Sequence, residues 1–180
     1  MARGKTTKAN RSKFVGVAAV LAVFIAAVDQ ISKNWALDAL APYQPTEVWP
    51  PLISFVLVFN KNAAFSIGGG QTWLFTVISA VAAILIAALL RRIESTSWAI
   101  LAGLLLGGVV GNLIDRLTRE PGFGTGQVVD FIQIPFNFPI FNIADSAISI
   151  VATVTVIRLF RGHRIGKASG TSSTKRGAKR

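Results

Sequence analysis

Polar and apolar positions fall in long blocks along this chain, with four apolar stretches at 14–28, 73–90, 98–114 and 141–157. Each stretch approaches the roughly 20 residues that an α-helix needs to cross about 30 Å of hydrocarbon. A helix of a soluble bundle keeps a polar face, whereas the second stretch, WLFTVISAVAAILIAALL, has none. The pattern therefore predicts an all-α integral membrane protein with four transmembrane helices.

The basic residues indicate how these helices are oriented. Five of the 19 lysines and arginines lie in residues 1–13, eight lie in 158–180, and Arg91 and Arg92 fill the link between the second and third helices. Because cytoplasmic loops carry the excess of basic residues, both termini and this link are expected to be cytoplasmic. The two longer links then lie on the extracytoplasmic side of the membrane.

These charges also suggest how the chain is divided. We expect a basic cytoplasmic tail over 1–13, a four-span domain over 14–160 and a basic, disordered cytoplasmic tail over 161–180. The net charge of +11 does not indicate nucleic-acid binding, because the basic tails flank membrane spans and meet anionic lipid there. The N-terminus also resembles a cleaved signal peptide, but Asp29 and Lys33 interrupt the approach to the cleavage-like ALA, so a retained first helix is favoured.

The two extracytoplasmic links are predicted to be ordered. The segment TEVWPPLISFVLVFNKNAAFSI is rich in β-branched and aromatic residues, as strands are, and GQVVDFIQI has the same character. The sequence therefore predicts a small extracytoplasmic β-sheet that rests on the outer leaflet.

Polar and ionisable side chains collect at the outer ends of the predicted helices and in these links. Such residues are costly near hydrocarbon and usually face a bundle interior or a water-filled cavity. Asp29 and Lys33 are four residues apart and can pair on one helix face. The set comprises Asp29, Lys33, Asn60, Asn112, Asp115, Arg116, Asp130, Asn142 and Asp145.

The inventory of side chains narrows the chemistry. The chain has no cysteine and a single histidine, which excludes cysteine peptidases, Ser-His-Asp triads and histidine-rich zinc sites. Two neighbouring carboxyl groups can share one proton and act as general acid and base. The residues alone leave open which two of Asp115, Asp130 and Asp145 pair, and they equally allow a transporter that moves protons or cations through the same carboxylates.

Five motifs occur in order along the chain: DQISK, FNKNAAFS, GGVVGNLIDR, VVDFI and FNIADSAI. Each is weak alone, but together, over residues 20–160, they resemble the lipoprotein signal peptidase (signal peptidase II) family of aspartic peptidases. The resemblance implies an endopeptidase of the bacterial cytoplasmic (inner) membrane, with its active site on the extracytoplasmic side. The implied substrates are prolipoproteins, cut just before a diacylglyceryl-modified cysteine. Inhibition by globomycin-type compounds and the absence of any metal or other cofactor are also implied.

The resemblance places the catalytic pair on Asp130 and Asp145. It implies that six further residues bind substrate or shape the site: Asp29, Asn60, Asn112, Asp115, Arg116 and Asn142. The chain departs from the family at Asn62, where glycine is usual, and asparagine is the next most tolerant residue if that position needs a positive φ. One chain supplies all of these groups, so a monomer in contact with membrane lipid is expected.

Overall fold

The computed structural model describes residues 8–61 and 72–163. In these ranges four helices are long and apolar enough to cross a membrane: α1 (Lys8–Ala39), α2 (Thr72–Leu90), α3 (Thr96–Thr118) and α4 (Ile143–Phe160). The prediction of a four-helix membrane protein is confirmed. Asn62 and the greater part of both basic tails lie outside the described residues.

Helix α1 is much longer than the apolar stretch that predicts it. It begins at Lys8, inside the predicted N-terminal tail, and continues to Ala39, eleven residues beyond the end of the 14–28 stretch. Asp29 and Lys33 do not end it because they form an ion pair, with 2.7 Å between Lys33 Nζ and Asp29 Oδ2, and both are fully buried. The pairing predicted from their spacing is confirmed.

Glycines bring α1 and α3 into close contact. Gly103, Gly107 and Gly111 recur every four residues on α3, so they lie on one face of the helix. A Cβ atom on Gly107 would lie 2.7 Å from the backbone oxygen of Ala22, and one on Gly111 would lie 2.6 Å from a carboxylate oxygen of Asp29. Small residues at this spacing allow membrane helices to approach closely. The polar end of α1 consequently lies against α3.

The two longer links form an antiparallel three-stranded sheet in the order β1 (Thr46–Trp49), β2 (Ile53–Asn60) and β3 (Val128–Gln133). This confirms the predicted sheet. Side chains alternate between the two faces of β3. Val129 and Phe131 pack with Ala36 and Leu40 at the end of α1, whereas Val128 and Asp130 line a cavity on the other face. The sheet thus holds one acid over the helix ends.

Candidate active site

Asp130 and Asp145 line the same cavity, which has a volume of about 780 Å³. Asp130 lies in the middle of β3, and Asp145 lies in the first turn of α4. Backbone hydrogen bonds between Phe141 and Ile132 hold the start of α4 beside β3. Two acids that lie fifteen residues apart in the sequence therefore face the same cavity.

Asn142 joins the two acids through its side chain. It is the N-cap of α4, and its Oδ1 accepts a 2.9 Å hydrogen bond from the backbone N–H of Asp145. Its Nδ2 donates to Asp130 Oδ1 over 2.6 Å. Asn142 is fully buried, so its rotation is restricted and the same amide fixes both acid-bearing segments.

Two further amides hold the carboxyl groups. Asn60 Nδ2, from the end of β2, donates to Asp130 Oδ2 over 2.8 Å, and Asn112 Nδ2, from α3, donates to Asp145 Oδ1 over 2.7 Å. Both asparagines line the cavity. Each acid is thus oriented by neutral donors from neighbouring elements.

Asp130 is 2% exposed, and burial together with the charge of Asp145 raises its pKa from 3.8 to about 7. Desolvation is the larger cause, because an ionised carboxylate loses its hydration in a buried site. The hydrogen bonds from Asn60 and Asn142 oppose this rise, since they favour the ionised form. Near neutral pH this side chain therefore exchanges a proton readily.

Arg116 brings a positive charge to the cavity wall. Its Nη1 donates to the backbone oxygen of Asn112 over 3.3 Å, one turn earlier on α3. Its guanidinium interacts electrostatically with Asp145 and Asp130. It therefore balances part of the negative charge that the two acids can carry.

The structure places two of the sequence-predicted site residues, Asp29 and Asp115, behind the cavity wall. Both carboxylates are fully buried against Lys33, whose Nζ lies 2.7 Å from Asp29 Oδ2 and 2.8 Å from Asp115 Oδ2. Asp29 Oδ1 accepts from the backbone N–H of Ala144 over 2.9 Å, and Asp115 Oδ2 accepts from that of Val129 over 3.2 Å. These acids support α4 and β3 from behind.

Two residues that the sequence did not single out for the site take part in this cluster. Lys33 Nζ donates to Asn112 Oδ1 over 2.9 Å, so the cluster touches the cavity wall. Gln30 Nε2 donates to Asp115 Oδ1 over 2.9 Å. The sequence did carry a signal for Lys33, because an ionisable residue one turn after Asp29 at a membrane boundary is rare and usually has a function.

No set of three or more His, Cys, Asp or Glu side chains within residues 8–61 and 72–163 is arranged to hold a metal ion. The polar groups that line the cavity are two carboxyl groups, two amides, two serine hydroxyls and one guanidinium. Such a paired-carboxyl cavity in a multi-pass membrane protein is the arrangement that a membrane-embedded aspartic hydrolase requires.

The family model for signal peptidase (SPase) II matches residues 21–161. The chain therefore belongs to the signal peptidase II family. It is 44% identical to the lipoprotein signal peptidase of Leifsonia xyli subsp. xyli over 156 residues, which cover 87% of this chain and 72% of that protein. It is 43% identical to that of Streptomyces coelicolor, over 82% of this chain and 72% of that protein.

A more distant relative and a solved structure agree with this family. The lipoprotein signal peptidase of Pseudomonas syringae pv. tomato is 38% identical over 82% of this chain and 87% of that protein. A solved bacterial membrane enzyme superposes with a TM-score of 0.74 at 28% identity, covering 87% of this chain and 95% of that one. The protein is a peptidase, and the transporter alternative is not supported by these relatives.

Proposed function

We propose that the protein removes the signal peptide from prolipoproteins that carry a diacylglyceryl-modified cysteine, cutting just before that cysteine, with Asp130 and Asp145 as its catalytic pair. The observation that carries the proposal is the Asn142 side chain, which bonds to the Asp130 carboxylate and to the backbone of Asp145. Both acids line one cavity. An aspartyl pair must be held around a single water molecule, and such a bridge is suited to do that.

The two acids have different roles in this mechanism. Asp130, with its pKa raised to about 7, holds a proton for part of the time at neutral pH and donates it to the oxygen of the scissile carbonyl. Asp145 takes a proton from the water whose oxygen attacks the carbonyl carbon. The resulting tetrahedral diol collapses when the leaving nitrogen gains the proton from Asp145, and the carbon–nitrogen bond breaks. Asp130 recovers its proton from a diol hydroxyl.

The remaining polar residues serve this exchange. Asn60 and Asn112 hold the two carboxyl groups, and Arg116 offsets negative charge as protons move in a poorly hydrated space. Asp29 and Asp115 shape the site indirectly, because they anchor the backbone of α4 and β3.

The apolar wall of the cavity fits a lipid-modified substrate. Ile134, Phe138 and Ile148 line it alongside the polar groups. A signal peptide and its acyl chains are already in the bilayer, so contact with such a wall lets them remain in hydrocarbon while the scissile bond reaches the acids. A globomycin-type inhibitor would compete for the same space.

The distribution of charge supports a cytoplasmic (inner) membrane location with both termini cytoplasmic and the cavity on the outer side. Arg91 and Arg92 follow α2, and Arg158 and Arg161 lie at the end of α4, whereas Asp145 lies at its start. Cytoplasmic ends carry such basic residues. Both acids come from one chain, so a monomer in contact with membrane lipid suffices.

The test is cleavage of a diacylglyceryl prolipoprotein by detergent-solubilised protein, followed as a size shift on a gel. Asp130→Asn and Asp145→Asn should each abolish cleavage while the protein still inserts and purifies. Asp38→Asn, the same change at an exposed position near the end of α1, is the matched control and should cleave normally. Near-normal turnover in either cavity variant would refute the assignment of the pair.

A further inference from the structure

Lys33 is fully buried, and its ammonium has three oxygen neighbours. Its Nζ lies 2.7 Å from Asp29 Oδ2, 2.8 Å from Asp115 Oδ2 and 2.9 Å from Asn112 Oδ1. An ammonium group has three N–H donors and no acceptor, so each donor has one oxygen. The two carboxylates explain how a charge is tolerated there, but charge balance does not require the contact with the neutral amide.

The Asn112 amide lies between the Lys33 ammonium, which can only donate hydrogen bonds, and the Asp145 carboxylate, which accepts them. Asn112 turns its Oδ1 toward Lys33 and donates from its Nδ2 to Asp145 Oδ1 over 2.7 Å. If the amide rotated by half a turn, its N–H groups would face the ammonium and its carbonyl oxygen would face the carboxylate. Lys33 therefore disfavours the rotated amide, because an ammonium cannot accept a hydrogen bond.

A second donor to Asn112 Oδ1 is less able to fix this orientation. Asn142 Nδ2 reaches the same oxygen over 3.2 Å, but it also donates to Asp130 Oδ1 over the shorter distance of 2.6 Å. The charged and shorter contact from Lys33 is the stronger of the two at Asn112.

We infer, resting on the proposed function, that Lys33 is a positioning residue for the peptidase reaction: it fixes the Asn112 amide so that this amide donates to Asp145 and holds the carboxyl group toward the cavity. Lys33 itself does not touch the reacting atoms. Without its charge the Asn112 amide keeps only the weaker donor, Asn142, and rotates more easily. A carbonyl oxygen facing Asp145 would push that carboxyl group out of place. Displacements of about 1 Å at a reacting group can cost about 100-fold in rate.

The charge of Lys33 also reaches the other acid. It lowers the pKa of Asp130, against the larger effects of burial and of Asp145. Among residues 8–61 and 72–163, Asp130 also faces the charge of Arg116 on α3 and the neutral donors Asn60 of β2 and Asn142 of the α4 N-cap. Loss of the lysine charge should therefore raise the pKa of Asp130 and move the alkaline limb of the rate profile to higher pH.

The test is a double-mutant cycle with Lys33→Met, Asn112→Ala and the combined variant, assayed on a diacylglyceryl prolipoprotein in detergent. Lys33→Met should lower kcat per folded molecule by about 10- to 100-fold with little change in KM. In the Asn112→Ala background the same substitution should cost no further kcat at a pH well below the alkaline limb, because this part of its effect passes through that amide. Arg119→Gln is the matched control: it removes another cation from Asp115 (2.7 Å) and leaves the contact with Asn112 intact, so kcat should not change.

Lys33→Met leaves two buried carboxylates with one fewer cation, so it is also prepared together with Asp29→Asn. In this double variant Asp115 keeps its hydrogen bonds from Arg119 and Gln30. The double-mutant cycle is then repeated in the Asp29→Asn background. A wild-type kcat in the folded Lys33 variants, additive losses in the cycle, or an unmoved pH profile would overturn the inference. If the inference fails in this way while Asp130→Asn and Asp145→Asn are inactive, the proposed function still holds. Activity in those two variants would instead refute the proposed function itself.

Discussion

Asp130→Asn should inactivate the protein and yet make its fold more stable at alkaline pH. The side chain is 2% exposed, and its pKa is raised to about 7 by burial and by the nearby charge of Asp145. An asparagine resembles the protonated carboxyl in size and carries no charge. The substitution thus removes a group that the folded protein holds in an unfavourable state whenever it ionises.

The size of the effect follows from the two states of the carboxyl group. Because the folded pKa of Asp130 lies above its ordinary value of 3.8, its contribution to stability is fully present below that value and is lost as the pH rises through about 7. At about 1.4 kcal/mol for each pH unit between the two values, the loss at pH 8 is about 4 kcal/mol.

One contact is lost in the variant, which reduces the gain. Asn60 and Asn142 each donate to one oxygen of Asp130, and an asparagine offers only one oxygen. The donor left without an acceptor costs about 1–3 kcal/mol. The net stabilisation expected at pH 8 is therefore about 1–3 kcal/mol, and it should disappear by about pH 5.

The measurement is unfolding in mixed micelles at pH 5 and pH 8, followed by the fluorescence of the four tryptophans. The exposed variant Asp38→Asn controls for the loss of a carboxylate in general. If Asp130→Asn is no more stable than wild type at pH 8, or differs from it equally at both pH values, Asp130 ionises without penalty and the shared-proton mechanism is wrong.

Three further results are expected. If Asp130 must hold a proton, kcat/KM for prolipoprotein cleavage should fall about tenfold per pH unit above pH 7, and a rate that stays flat to pH 9 would contradict this role. A chelator should leave the cleavage rate unchanged, because the carboxyl pair needs no metal; a loss restored by zinc would indicate other chemistry. Gly107→Val should reduce the folded fraction in size-exclusion chromatography, since its Cβ would lie 2.7 Å from the Ala22 oxygen. Gly16→Ala, with no atom within 4 Å of the new Cβ, should behave as wild type, and equal behaviour of both variants would show that the α1–α3 contact tolerates separation.

The membrane helices and the sheet were predictable because each depends on local pattern. Apolar length predicted α2, α3 and α4 within a few residues of their bounds, and β-branched composition predicted the strands. The extent of α1 was not predictable in this way. Its continuation from Asp29 to Ala39 depends on burial of an ion pair against α3 and β3, which the hydropathy of α1 alone does not reveal.

The packing of α3 on α1 has a signature in the sequence. Gly103, Gly107 and Gly111 form a GxxxGxxxG pattern in the third apolar stretch. Such a pattern indicates a close helix contact without saying whether the partner is in the same chain. Here the partner is α1, and the contact sets the depth at which Asp29 and Lys33 meet Asn112.

The choice among three aspartates needed information beyond spacing. Asp115, Asp130 and Asp145 are equally spaced, and only the resemblance to a family selected the last two. Alternation along β3 gives the physical reason for Asp130, since Val129 and Phe131 pack against α1 and the residue between them faces the cavity. Asp115 instead pairs with Lys33, on a contact between α1 and α3 that no local pattern specifies.

Lys33 illustrates why a buried charge resists interpretation from sequence alone. A lysine at this position could anchor a helix or serve the reaction. Here the same ammonium binds Asp29 and Asp115 and also contacts the amide that donates to Asp145. The two roles should therefore separate under mutation. Removing the Asp29 charge together with the lysine charge should recover the stability lost in Lys33→Met, since fewer uncompensated charges stay buried. It should not recover turnover, because the Asn112 amide would still lack the donor that fixes it. Recovery of both would show that anchoring alone accounts for the lysine.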